Sequence, residues 1–169
     1  MKKTIFILLF VLLIFTACST KNEPVADIPN DFTFSLTWGC NGESFYDSNT
    51  GKLIKTTNAT NPDEYITTLL LNEIQKESVR NILSNLDFTK YPAQYNPNDK
   101  IESLPSMTLI LTLQYGDTKK SITCKNIAIS YESSIKDGQL FLTACSSLID
   151  VITNTDEWKS LPEYEFFYE

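Results

Sequence analysis

The chain has 169 residues, a hydrophobic content of 42% and a formal net charge of −7, which fits one globular domain. This acidic balance argues against a DNA- or RNA-binding protein, because a phosphate backbone requires a basic face. The sequence contains no histidine, which excludes Ser-His-Asp and Cys-His catalytic sites and the usual histidine-containing zinc sites.

The first eighteen residues have the three-part layout of a bacterial export signal. Lys2 and Lys3 form a short basic region, an unbroken apolar run covers 5–15, and small residues precede Cys18. The apolar run is too short to span about 30 Å of hydrocarbon as a permanent helix, which needs about 20 residues. We therefore expect residues 1–17 to be a signal peptide, whose removal takes both lysines and changes the net charge from −7 to −9.

The stretch Phe15-Thr16-Ala17-Cys18 resembles the lipobox of bacterial lipoproteins, with phenylalanine at the position where leucine is usual. In that family the cysteine is lipidated on its sulfur and becomes the new N-terminus after cleavage. The resemblance implies a diacylglyceryl group on Cys18 that holds the protein on the extracytoplasmic face of the cell membrane, since stable anchoring needs more than one acyl chain. Cleavage without lipid attachment and an uncleaved anchor are the alternatives.

A polar stretch with two prolines, 18–31, is predicted to be a flexible tether, and a single domain is expected over 32–169. The domain begins with an alternation of apolar and polar residues over 32–40, which predicts a half-buried strand. The stretch 43–57 predicts two strands joined by a turn, because it contains the sequence Asp47-Ser48-Asn49-Thr50-Gly51.

A further strand is expected within 64–71, followed by a helix. Asn72 and Gln75 have the spacing of a capping box, which predicts an amphipathic helix over 73–86. The stretch 89–105 contains three prolines and no periodicity, and it is predicted to be a long exposed loop. A hairpin over 106–124 and a second helix over 138–153 complete the regular elements.

The order of strands, helix, strands and helix predicts an α+β domain. We expect an antiparallel sheet of about five strands with two amphipathic helices on one face. The domain resembles a family of unknown function found in bacterial secreted proteins and lipoproteins, through TWGCNGESFYDSNTGKL, LDFTKYP, LPSMTLILTL and DEWKSLPEYEF. That resemblance implies the fold and no particular activity.

Three cysteines remain beyond the leader: Cys40, Cys124 and Cys145. An extracytoplasmic location permits disulfides, and an odd number leaves at least one thiol unpaired. Cys40 and Cys124 lie at predicted strand ends and could pair, whereas Cys145 lies on the core stripe of the second helix. Structural thiols, one disulfide and a reactive thiol are the three interpretations.

Oxygen-rich stretches are the other candidates for chemistry. The turn Asp47–Gly51 resembles the start of a calcium loop, but a hairpin turn accounts for all its residues. Polar surface is likewise the simpler interpretation of two further sets. These are the loop residues Asn96, Asn98, Asp99 and Glu102, and the carboxylate pairs Asp63-Glu64, Asp156-Glu157 and Glu163/Glu165. We predict no bound metal and no cofactor.

Four aromatic residues lie among the last six of the chain: Tyr164, Phe166, Phe167 and Tyr168. They either pack as a final strand or beneath the 89–105 loop, or they form a binding surface together with Tyr91 and Tyr95. We therefore expect a membrane-anchored lipoprotein that binds an envelope protein or a cell-wall component. The alternatives are a small envelope hydrolase that uses carboxylates or a thiol, and a purely structural envelope component.

Overall fold

The computed structural model describes residues 28–40, 43–56, 64–98, 107–128 and 130–163. The predicted signal peptide, Cys18 and most of the predicted tether (18–27) lie outside these residues. No helix within the described ranges combines the length and apolar character needed to cross a bilayer.

Six strands in the described ranges form one antiparallel sheet, which confirms the predicted α+β class with one strand more than the expected number. The strands are β1 (Thr33–Gly39), β2 (Glu43–Asp47), β3 (Lys52–Thr56), β4 (Glu64–Thr68), β5 (Met107–Tyr115) and β6 (Thr118–Ile127). Their order across the sheet is β4-β3-β2-β1-β5-β6. Strands β2 and β1 therefore lie at the centre, and β4 and β6 are the two outermost strands.

The alternation seen in the sequence decides which face of the sheet is buried. Side chains of Phe34, Leu36 and Trp38 in β1 are buried, while the residues between them are half-buried. Strand β5 repeats this pattern at its odd-numbered positions from Met107 to Leu113. Because side chains alternate along a strand, these residues share one face. They form one core with the buried residues of the helices.

Helix α1 (Glu73–Ser84) begins as the sequence predicts. The Gln75 N–H donates to the Asn72 side chain at 3.0 Å, and the Asn72 N–H donates to the Gln75 side chain at 2.9 Å, which closes the capping box. The helix ends two residues earlier than expected, yet Leu86 is still buried. The buried face predicted for this helix therefore continues to Leu86, two residues beyond the last helical residue.

Helix α2 (Lys136–Thr153) packs against α1, and a short helix, α3 (Asp156–Lys159), follows it. Trp158 of α3 lies over the sheet, with its ring 5.6 Å from that of Trp38. The buried Lys55 side chain of β3 lies 4.9 Å from the centre of the Trp158 ring and donates to the Leu161 carbonyl. A cation is tolerated there because both contacts replace part of its lost hydration.

The prediction of an exposed loop is wrong for part of 89–98. A 3₁₀ helix (Phe88–Lys90) precedes Tyr91, which is buried. The Tyr95 N–H donates to the Thr123 carbonyl, and the Thr123 N–H donates to the Ala93 carbonyl, both at 2.9 Å. The chain lies on the outer side of β6 because aromatic rings near these bonds pack against α2. The remainder of the predicted loop, 99–105, lies outside the described residues.

Candidate functional site

A cavity of about 340 Å³ lies between the start of β1, the segment 69–71 and helix α1. The Arg80 guanidinium donates to the Asn30 side chain and to Glu77, which attaches the chain before β1 to the helix. Ile28 is buried, and the Phe32 N–H donates to the Pro29 carbonyl at 3.3 Å. These contacts fix the segment that closes one side of the cavity.

Aromatic rings form one wall of the cavity. The ring centres of Phe32 and Phe34 are 6.5 Å apart, and those of Phe34 and Tyr46 are 5.5 Å apart. The other side chains that line it come from loops next to β1, β2 and β4 and from helix α1: Asn30, Asp31, Ser48, Leu70, Leu71, Lys76 and Val79. This combination suits an apolar group bound near a few polar atoms at the rim.

Tyr46 is the most buried polar side chain of this wall. Its hydroxyl donates to the Leu69 carbonyl at 3.4 Å. Burial raises the pKa of Tyr46 to about 12, and the neighbouring Asp47 charge contributes in the same direction. The hydroxyl therefore keeps its proton above pH 10 as well, and its hydrogen bond joins β2 to the segment that carries Leu70.

Exposed apolar side chains are concentrated near β4 and the start of α1, and one of them, Leu70, lines the cavity. Leu70 is 74% exposed and Ile74, in the first turn of α1, is 83% exposed. Of the five large apolar residues classed as exposed in the described ranges, four fall within 65–74: Tyr65, Ile66, Leu70 and Ile74. Contiguous exposed apolar surface marks interaction sites more often than scattered residues do. We call the cavity, the Leu70 side chain that lines it and the exposed Ile74 side chain four residues later the apolar site.

A lysine borders the apolar site. Lys76 lines the cavity and forms an ion pair with Glu73 at 2.8 Å on the exposed surface of α1. The hydrogen bond from Lys76 and the positive charge of Lys76 hold the pKa of Glu73 below its usual value. The Lys76 charge at the rim is therefore paired, and the apolar side chains are the main feature that a partner would contact there.

A second cavity, of about 370 Å³, lies on the other side of Phe34 and is polar. It brings together Asp31, Asp47 and Lys119 from distant parts of the chain, which is the kind of convergence that a carboxylate-dependent hydrolase would need. The Asp47 oxygens, however, accept hydrogen bonds from the Asn49 N–H at 2.9 Å and the Thr50 hydroxyl at 3.0 Å. They stabilise the β2–β3 turn, in agreement with its interpretation as a hairpin turn.

The predicted aromatic surface is only partly within the described residues. Tyr91 is buried, Tyr95 is half-buried, and both rings contact Phe141 of α2, with centres 5.0 and 5.6 Å away. Burial raises the pKa of Tyr91 to about 12. Tyr91 thus contributes to the core and not to an exposed face. The other members lie outside the described residues: Tyr164, Phe166, Phe167 and Tyr168.

The three cysteines of the domain are free thiols. Cys124 and Cys145 are buried, and burial raises the pKa of Cys124 to about 12 and that of Cys145 well above its usual value. Cys40 is half-buried at the end of β1. A thiol must ionise to act as a nucleophile. The two buried cysteines therefore have the properties of small core residues.

The remaining oxygen-rich candidates are dispersed. The Asn98 amide donates to the Glu132 carbonyl at 3.0 Å, while Asp99 and Glu102 lie outside the described residues. Asp156 and Glu157 are exposed in the first turn of α3. Within the described ranges, no group of three or more Cys, Asp or Glu side chains is arranged to hold a metal ion.

No known protein-family model matches the chain, and no curated protein matches it. The apolar site was not identified from the sequence, although one signal was available. Ile74 falls outside the stripe formed by Val79, Leu83 and Leu86, so an apolar residue there faces away from the core. Leu70 carried no such signal, because the surrounding leucines predict a strand.

Proposed function

We propose that this protein is a membrane-anchored extracytoplasmic lipoprotein whose domain is a binding module for an envelope partner. Lipid on Cys18 would supply the anchor, as the resemblance of its export signal implies. The observation that supports a binding role is the apolar site, in which the exposed Leu70 lines an aromatic-walled cavity and the exposed Ile74 follows four residues later in the chain. Exposed leucine and isoleucine side chains favour apolar groups of a protein over a polar glycan.

The position of the apolar site relative to the proposed anchor narrows the kind of partner. Asn30 borders the cavity and lies twelve residues after Cys18. A fully extended chain covers about 3.3–3.6 Å per residue, so the site can lie at most about 40 Å from the lipidated cysteine. The partner we propose is therefore an envelope protein held at, or close to, the same membrane.

The binding role is tested with the full chain in its own membranes. We expect the double variant Leu70→Ser/Ile74→Ser to recover the partner at least about tenfold less well in affinity capture, which corresponds to about 1.4 kcal/mol. Leu140→Ser is the matched control, because Leu140 is also exposed, at 44%, but lies on α2. Equal recovery by the two variants, or no reproducible partner of the wild type, would contradict a binding role of this site.

The anchor is tested separately. Cys18→Ser removes the sulfur that would carry the lipid, so we expect release of the protein from the membrane fraction or accumulation of the unprocessed form. Mass spectrometry of the purified chain and fractionation of the cells measure both effects. Cys40→Ser, which changes a thiol within the domain, should alter neither. An unchanged mass and membrane fraction for Cys18→Ser would refute the anchor and leave the binding test intact.

A further inference from the structure

Strand β4 ends the sheet with an edge that pairs with no other strand in the described ranges. Its residues are largely exposed: Ile66 is 61% exposed and Tyr65 is 38% exposed. The strand contains no lysine and no proline, the residues that commonly protect an edge. A bare edge of this kind can accept a further strand through its main-chain groups.

The register of the β3–β4 pair shows which main-chain groups face outward. The Leu69 N–H, just after β4, donates to the Gly51 carbonyl at 2.8 Å, so Leu69 faces β3. Facing directions alternate along an antiparallel strand, so Tyr65 and Thr67 also face β3. The N–H and C=O groups of Glu64, Ile66 and Thr68 therefore point away from the sheet.

We propose that a second copy of this chain pairs with this edge, antiparallel, about a two-fold axis at Ile66. Ile66 would then face the partner's Ile66, and Glu64 and Thr68 would face the partner's Thr68 and the partner's Glu64. In such an arrangement each facing pair of residues exchanges two N–H···O hydrogen bonds. The two sheets become one continuous sheet, in a dimer with the commonest symmetry of soluble oligomers.

The charges of the edge are compatible with self-pairing. Like charges that face each other across two strands are destabilising, whereas here the single carboxylate of β4, on Glu64, faces a threonine. Lys52 of β3 lies opposite Thr68 in the register. Each Glu64 therefore meets the partner's Thr68 and, one strand further, the partner's Lys52, on the same face of the joined sheet. Glu64 and the partner's Lys52 are two strand spacings apart, about 10 Å, and their opposite charges favour this pairing.

The apolar side chains continue in the same direction. The register places Ile66 opposite Ile54, and Ile54 opposite Phe45, so these three side chains form a row across β4, β3 and β2. Ile54 and Phe45 are half-buried, whereas Ile66 at the end of the row is the most exposed. Self-pairing places the partner's Ile66 beside it and extends the row into the second copy. This burial supplies the apolar contribution to the interface.

The length of the edge sets the expected strength. Strand β4 has five residues, and a contact along one strand is narrower than the roughly 1,200–2,000 Å² buried by stable interfaces. We therefore expect a reversible monomer–dimer equilibrium. Confinement of anchored copies to a membrane raises their effective concentration and shifts this equilibrium towards the dimer.

Cysteine cross-linking in membranes tests the register. Facing residues that exchange hydrogen bonds have Cα atoms about 5.5 Å apart, within the range of about 4.4–6.8 Å that permits a disulfide. In a Cys40→Ser background of the full chain, we expect Ile66→Cys to form a covalent dimer under mild oxidation. Thr68→Cys is the matched control, because the two Thr68 positions are displaced by four residues along the strands, about 14 Å.

Charge repulsion provides the second test. Ile66→Lys places two like charges at the two-fold axis, and the residue is exposed enough to leave the fold intact. Sedimentation of the full chain in detergent over about 10 µM to about 1 mM should show dimers for the wild type and at least tenfold fewer for Ile66→Lys. Leu70→Ser/Ile74→Ser should dimerise like the wild type, which separates this proposal from the binding role.

Either of two results would overturn the proposal. One is cross-linking of Ile66→Cys no faster than that of Thr68→Cys. The other is a wild-type chain that stays monomeric over the whole concentration range. A cross-link from Ile66→Cys to a different protein, with none between copies, would also overturn it, because the edge would then serve another strand.

Discussion

The two outermost strands of the sheet differ in how their edges are protected. On the outer side of β6, Thr123 exchanges hydrogen bonds with Ala93 and Tyr95 of a segment about thirty residues earlier in the chain. Strand β6 also contributes three lysines, Lys119, Lys120 and Lys125. Strand β4 has neither feature in the described ranges, and its side chains at Ile66 and Glu64 are exposed. In the described ranges one edge is therefore covered at Thr123, and the other is open.

The difference shows where edge protection comes from. The cover of β6 is held by aromatic side chains, since Tyr91 and Tyr95 pack against each other and against Phe141 of α2. The Lys120 ammonium adds a hydrogen bond to the Phe88 carbonyl. Protection thus depends on core packing and not on the edge strand alone. An open edge next to the apolar site is consistent with association on that side of the molecule.

The largest expected effect comes from removing the support of the β6 cover. Phe141 is fully buried, so we expect Phe141→Ala to lower the free energy of unfolding by about 3–5 kcal/mol. Amide exchange at Thr123, whose N–H donates to Ala93, should become faster than in the wild type. Urea unfolding and hydrogen exchange measure the two effects.

Leu140→Ala is the control for this prediction, because the neighbouring Leu140 is exposed and its truncation should cost no more than about 0.5 kcal/mol. A loss of stability in Phe141→Ala without faster exchange at Thr123 would show that the cover of β6 does not depend on this ring.

A smaller loss of stability is expected from a substitution at Gly51, which lies next to the end of β4 and the segment after it. This residue has φ +72°, and a Cβ atom there would lie 2.9 Å from the Leu70 side chain and 3.0 Å from the Leu69 carbonyl. We expect Gly51→Ala to lower the free energy of unfolding by about 1–3 kcal/mol, since it combines backbone strain with a close contact. Urea unfolding measures the loss.

Gly116→Ala is the matched control for the contact. Gly116 also has a positive φ, +51°, but nothing lies within 4 Å of its Cβ position. Gly116→Ala should therefore lower the free energy of unfolding through backbone strain alone, by about 1–2 kcal/mol. Equal losses at both positions would mean that the contact with the 69–70 segment contributes nothing to the stability of the β4 side.

The smallest expected effect on stability, which is absent at neutral pH, comes from two buried tyrosines. One lies in β2, and the other lies in the segment next to β6. The pKa values of Tyr46 and Tyr91 are both raised to about 12, mainly by burial, whereas that of an unfolded tyrosine is about 10. Above about pH 10 the unfolded chain loses these protons while the folded chain keeps them. The contribution of these two hydroxyls to stability should therefore be constant below about pH 10 and fall between about pH 10 and 12.

Tyr46→Phe and Tyr91→Phe separate the two contributions. Each should reduce the fall in stability above pH 10 in urea unfolding measured from pH 8 to 11.5. The variant with the larger reduction identifies the tyrosine whose ionisation destabilises the fold more. An unchanged pH profile in both variants would show that neither hydroxyl is kept protonated by the fold.

Local patterns were enough to predict most of the regular elements. The alternation around Phe34, Leu36 and Trp38 predicts a strand with one buried face, and the capping box of Asn72 and Gln75 predicts the start of α1. These signals depend on residues a few positions apart. The turn at Gly51 was also predicted, because a turn of this kind is determined by its own residues.

Contacts between distant residues could not be predicted in the same way. The segment 89–98 has no periodicity, and its attachment to β6 depends on Tyr91 and Tyr95 meeting Phe141, more than forty residues later. The apolar site is another case. The site forms where the chain before β1, the residues after β4 and helix α1 come together. No local sequence pattern predicts that these segments lie next to one another.

The sequence by itself therefore determined the α+β class, the hairpins, the capping box of α1 and the buried face of each main strand, because short-range periodicity and turn chemistry control them. The tertiary structure alone decided which edge of the sheet is covered, which tyrosine is buried and where Leu70 and Ile74 are exposed. The physical reason is that burial is a property of surfaces brought together by folding, and residues far apart in the chain supply those surfaces.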